Sequence, residues 1–99
     1  MLHMVVMTHA PESCPFRSEG NDKAMGVAFT RLLEVAEGRE ARLEGAWANT
    51  ASHRVFLLVD APNAHVVDQL IEESGLVARG TTTVYSVTTM EDQLAGLAR

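Results

Sequence analysis

One short stretch constrains this chain more than any other. Arg54-Val55-Phe56-Leu57-Leu58-Val59-Asp60 is apolar at five consecutive positions and closed by charge at both ends. It is too short for a helix that buries a stripe, and its β-branched and aromatic content suits a strand. Side chains of a strand alternate between two faces, so Val55, Leu57 and Val59 point one way and Phe56 and Leu58 the other. A strand apolar on both faces is central and covered on both sides. The rest of the chain must supply those covers.

Ninety-nine residues leave room for one core, so residues 1–99 are read as a single domain. Hydrophobic residues make up 46% and charged ones 21%, the proportions of a folded soluble domain. A net charge of −5 excludes a general nucleic-acid binder, which needs a basic face to displace counterions from phosphates. One cysteine, Cys14, cannot staple the chain to itself. The opening MLHMVVMTHA lacks the basic start and long apolar core of a secretion signal, and the longest apolar run is far short of the ~20 residues of a membrane span. A cytoplasmic, bacterial-type protein is expected.

Periodicity supplies the remaining elements. Residues 2–9 read as a strand with Leu2, Met4, Val6 and Thr8 on one face and His3, Val5, Met7 and His9 on the other. Ala10 to Gly20, with two prolines and a glycine, reads as a long loop without regular structure. A helix is expected from Asn21, as N-cap, to Val35, burying Met25, Ala28, Phe29, Leu32 and Val35, with Gly38 ending it. Leu43–Asn49 and Arg54–Asp60 form a hairpin around Thr50-Ala51-Ser52-His53. Asn63 caps a second helix with a stripe of Val66, Val67, Leu70 and Ile71, ended by Gly75. Gly80–Val87 is a threonine-rich fourth strand. Thr88 and Glu91 have capping-box spacing and open a short last helix to about Ala98.

The order βαββαβ plus a terminal helix is the split-βαβ, ferredoxin-like plan: α+β, with a four-stranded antiparallel sheet. Strands one and three lie centrally and strands four and two at the edges, with both long helices on one face. Nothing remains in the chain to cover the other face. A homodimer packed sheet to sheet, through that open face, is therefore expected.

The segment GAWANTASHRVFLLVDAPN, Gly45 to Asn63, resembles the middle of the small dimeric α/β-barrel proteins, among them the GYD-domain, stress-responsive barrel and muconolactone-isomerase-like families. The shared pattern is a small-aromatic strand, a polar turn, an apolar strand ending in an acid, then Ala-Pro-Asx before a helix. Ser52-His53-Arg54 stands where the first family has its Gly-Tyr-Asp, so the resemblance implies a dimeric α/β-barrel fold and transfers no functional residue. Such folds host monooxygenases, isomerases, metal binders and proteins without chemistry.

Four histidines and one cysteine are the candidates for chemistry. Reading strands one and three as parallel groups His9, Cys14 and His65 at one end of the sheet, with Glu12 nearby, and His3 with His53 at the other. His9 and Cys14 carry the most weight as catalytic residues: an imidazole serves as general acid/base and activates a thiolate. Met7, Trp47, Asn49 and Tyr85 are the expected substrate-binding residues. The first reading is thus a small dimeric barrel that binds an apolar or aromatic compound near His9 and, where it transforms it, does so without a cofactor. The alternative is a metal protein in which His9, Cys14 and His65 hold Zn, Cu or Ni. A non-enzymatic interaction module is the third. The bland readings also stand: Cys14 as a small packing residue, His9 as a strand cap, the methionines and aromatics as core.

Overall fold

The computed structural model describes residues 1–14 and 19–97. The elements run β1 (Leu2–Thr8), α1 (Glu19–Glu37), β2 (Arg42–Asn49), β3 (Arg54–Asp60), α2 (Ala64–Ser74), β4 (Thr81–Val87) and α3 (Met90–Leu97), with 3-10 turns at Pro11–Ser13 and Leu76–Ala78. The four strands form one sheet ordered β2-β3-β1-β4, antiparallel at every pairing. This is the expected ferredoxin-like α+β plan, and β3 is the central strand that its two-faced apolar sequence demanded.

The core lies between the sheet and α1 and α2. Val5 and Met7 of β1, Leu57 and Val59 of β3, Ala28, Leu32 and Ala36 of α1, and Val67, Leu70 and Ile71 of α2 are all buried. Met25, Phe29 and Val35 pack at its margin. Arg39, just past α1, ties this layer together by pairing with Glu73 and donating to Gln69 Oε1 at 2.9 Å, both on α2.

The caps of α2 form as its sequence dictates. Asn63 Oδ1 accepts from Val66 N at 2.9 Å, and Gly75 adopts φ +88° at the other end, a conformation open to glycine without steric cost. Three boundaries differ from the sequence reading. α1 begins at Glu19, so Asn21 lies inside its first turn rather than capping it. Its exit turns at Glu40, with φ +56°, and not at Gly38. The cap of α3 is Thr89, whose Oγ1 accepts from Asp92 N at 3.1 Å, one residue later than the expected Thr88. The proline-containing loop also holds one 3-10 turn, because Pro11 fixes φ at the first position of a tight helical turn.

The second face of the sheet carries Met4, Val6, Phe56, Leu58, Trp47 and Tyr85, and among the described residues no helix packs over it. Trp47 and Tyr85 are 55% and 53% exposed. Trp47 lies over Gly45, where a Cβ would come within 2.5 Å of the indole ring. The glycine thus leaves the floor on which the aromatic rests.

Candidate metal centre

The strand directions decide which histidines meet. α1 carries the chain from the end of β1 back to the start of β2, so β2 runs parallel to β1. The hairpin then reverses it, and β3 fills the gap between them, antiparallel to β1. Thr8 therefore lies opposite Arg54, and Leu2 opposite Asp60. The expected parallel arrangement of strands one and three is corrected here, and with it the grouping of the histidines. His53, at the start of β3, comes to His9. His65, in the first turn of α2, follows Asp60 at the far end of the sheet, where His3 also lies. Of the expected metal set His9, Cys14 and His65, the structure brings His9 and Cys14 together, with His53 rather than His65 beside them.

His9 continues the buried face of β1 and is 5% exposed. Its backbone N–H donates to the His53 carbonyl at 3.0 Å, which fixes the hairpin turn against the strand end. The two imidazoles meet edge to face, with ring centroids 5.4 Å apart and planes at 78°. His53 holds this position with φ +54°, a left-handed conformation that is uncommon for a residue with a side chain and that concentrates at functional sites. Beyond β1, the 3-10 turn folds the chain back, with Cys14 N donating to Pro11 O at 3.3 Å. Cys14 is thereby buried completely. One ligand atom from each of His9, Cys14 and His53 lies within 4.8 Å of the other two.

The donor chemistry fits a borderline transition metal. Imidazole suits Zn, Cu and Ni, and thiolate adds preference for softer ions over Mg or Ca. Bond lengths of ~2.0–2.3 Å around a tetrahedral ion put donors about 3.4–3.7 Å apart. The observed spread closes to that with side-chain adjustments of about an ångström. Burial, and then the neighbouring His53, push the His9 pKa below its ordinary value, favouring the neutral imidazole that ligation requires. Gly80 completes the surroundings: a Cβ there would lie 2.6 Å from the Thr8 carbonyl oxygen and 3.0 Å from Met7 Cγ. Only glycine lets the chain entering β4 pass so close to the end of β1.

Of the other expected site residues, Met7 is fully buried under the helices on the His9 face. Trp47, Asn49 and Tyr85 stand on the opposite face of the sheet by strand alternation. Those four and His9 therefore do not line one pocket within a chain. Asn49 closes the hairpin turn instead, its Oδ1 accepting from Ser52 N at 3.1 Å. An apolar cleft of about 530 Å³ does occur between α1 and β2, lined by Met25, Phe29, Ala46, Ala48 and Val55 with Trp47 at its rim. Glu12 is exposed. His53 is the functional candidate that the sequence reading misplaced. The right-handed crossover rule followed by one hairpin reversal gives the direction of β3, but the register and turn that seat His53 against His9 come only from the folded sheet.

No protein-family model matches the chain, and no curated protein is significantly similar in sequence. Solved structures do share its fold. SCO4226 from Streptomyces coelicolor A3(2) superposes with a TM-score of 0.64 at 21% identity, over 90% of this chain and 98% of that one. The 5-chloro-2-hydroxyhydroquinone dehydrochlorinase TftG from Burkholderia phenoliruptrix AC1100, in complex with 2,5-dihydroxybenzoquinone, gives 0.58 at 14%, over 93% and 98%. A putative transposase from Deinococcus radiodurans R1 gives 0.54 at 12%, over 99% and 87%. These likenesses establish a small α+β barrel-type fold and no activity. Among the described residues no helix is long and apolar enough to cross a membrane.

Proposed function

We propose that this protein binds a transition-metal ion of the Zn, Ni or Cu type through His9, Cys14 and His53. The observation that carries the reading is the convergence of two imidazoles and one thiol to within 4.8 Å, brought from three separate segments, with His9 and Cys14 buried. Three protein ligands leave one tetrahedral position for water or an exogenous group. His53, the least buried of the three donors, is the side from which an ion enters. When bound, the ion supplies Lewis acidity at that open position. The chain's own residues bind the ion, hold its geometry and exclude bulk water from two of its three donors.

The test is titration of the metal-stripped protein with Zn²⁺, Ni²⁺ and Co²⁺, with Co²⁺ reporting thiolate ligation by its charge-transfer absorption. One ion per chain is expected, with the thiolate band lost in Cys14→Ser and weakened in His53→Ala, and unaffected in His65→Ala. Substoichiometric metal that Cys14→Ser leaves unchanged overturns the reading.

The cleft beneath Trp47 supports a second reading, an apolar or aromatic ligand. Trp47 is the chain's one tryptophan, so quenching of its fluorescence by 2,5-dihydroxybenzoquinone tests it directly. Saturable quenching abolished by Phe29→Ala is the expected result, and a linear, collisional dependence refutes it.

Both readings include a homodimer through the open sheet face. Its support is the row of apolar side chains on that face, Met4, Val6, Phe56 and Leu58 flanked by exposed Trp47 and Tyr85. A monomeric soluble protein seldom leaves such a patch uncovered.

A further inference from the structure

α3 is an eight-residue helix with no buried residue. Met90, Leu94 and Leu97 are 70%, 55% and 76% exposed, and their i, i+4, i+7 spacing lines them along one face. A helix this short is marginal in water unless its apolar stripe packs against something. It starts just beyond Val87, at the same sheet end as Leu2 and Asp60, and covers neither face of its own sheet. The chain therefore carries two apolar surfaces, the open sheet face and the α3 stripe, that do not meet within one copy.

We infer that α3 is a clasp that packs on the second copy of this chain, rather than on its own. The inference rests on the sheet-to-sheet dimer proposed above and specifies what completes it. Stable interfaces engage about 20–30 residues on each side. The four strands hold 29 residues, and alternation puts about half of them on the open face. That falls short of the range, and the eight residues of α3 bring the total into it. Charge agrees with the arrangement. At the α3 end of the face, Asp60 pairs with the Met1 amino group at 2.8 Å and Arg42 with Glu44 at 2.5 Å, so the charges there are matched within one copy. At the opposite end, Arg54 is exposed on the open face. A two-fold axis perpendicular to the strands brings the partner's opposite end over each α3. Arg54 of the partner subunit then faces Glu91 and Asp92 in the first turn of α3.

The test is the dimer dissociation constant of the full chain by sedimentation equilibrium. Leu94→Glu is expected to weaken the dimer at least about tenfold while leaving the β-sheet circular dichroism unchanged, since α3 contributes nothing to the core. Arg54→Glu and Glu91→Arg should each weaken it and, combined, restore part of the loss. A dimer of unchanged affinity in Leu94→Glu overturns the clasp and leaves the sheet-packed dimer standing. A chain that stays monomeric at 100 μM (about the top of a working range for weak pairs) overturns both. Co-sedimentation of α3-dependent protein with anionic vesicles, with no change in mass, assigns the stripe to a membrane and likewise overturns the clasp.

Discussion

His3 and His9 stand six residues apart on the same face of β1, and both are buried. One belongs to a donor cluster and the other does not. His9 has the Cys14 thiol and the His53 imidazole beside it. His3 lies opposite Val59 and Ser86, feels Asp60 only at a distance, and neither of its ring nitrogens has a hydrogen-bond partner among the described residues. Burial of an imidazole is thus no sign of function by itself. What distinguishes the two ends is which turn the antiparallel register delivers there: the hairpin with His53 at one, the exposed start of α2 with His65 at the other.

The largest expected effect breaks the ligand end. Cys14→Ser or His9→Ala should lower metal affinity beyond the ~10–100-fold typical of losing an outer-shell partner, measured by competition with a chromophoric chelator. His3→Ala should leave that affinity within about twofold, since His3 lies outside the donor set. Gly80→Ala comes next. Its Cβ meets backbone at Thr8, so the end of β1 must shift, with about 2–3 kcal/mol lost in urea unfolding. Metal affinity should fall with it, because His9 follows Thr8 directly.

The opposite sign is expected at His3. Replacing it with leucine removes two unpartnered buried polar atoms and keeps the volume, and should stabilise the fold by about 1–2 kcal/mol. Destabilisation by the same substitution would assign His3 a polar role. A pH series sharpens the contrast. The His9 pKa is lower folded than unfolded, so the unfolded chain takes up a proton first as pH falls. Stability should therefore be fullest above the unfolded value of ~6.5 and decline as pH drops through it toward the lowered native pKa. His9→Asn should flatten that decline. The smallest effect is Asn63→Ala, about 1 kcal/mol from the lost cap of α2, with metal binding unaltered.

Much of this fold was legible in local pattern. Arg54–Asp60 is a strand to the residue because its apolar run is bounded by charges. Asn63 and Gly75 delimit α2 because a cap and a left-handed terminator act over a few residues. α1 was harder: Gly20 read as the end of the loop and Asn21 as the cap, yet the helix already begins at Glu19, because local signals at a helix start compete over a residue or two. Of the candidate site, His9 and Cys14 were legible because they are close in sequence across one turn. His53 was not, since its approach depends on strand direction and register set far away. Trp47 and Tyr85 were legible as aromatics on strands, while their separation from Met7 and His9 followed from the parity of alternation.

The sequence by itself determined the order of elements, the central place of β3 and the open face, because these follow from short-range periodicity and from apolar side chains that must be covered. Only the tertiary structure decided that His53, and not His65, completes the group around His9 and Cys14. Antiparallel pairing reverses which end of β3 meets which end of β1, and no local feature of either strand encodes that reversal.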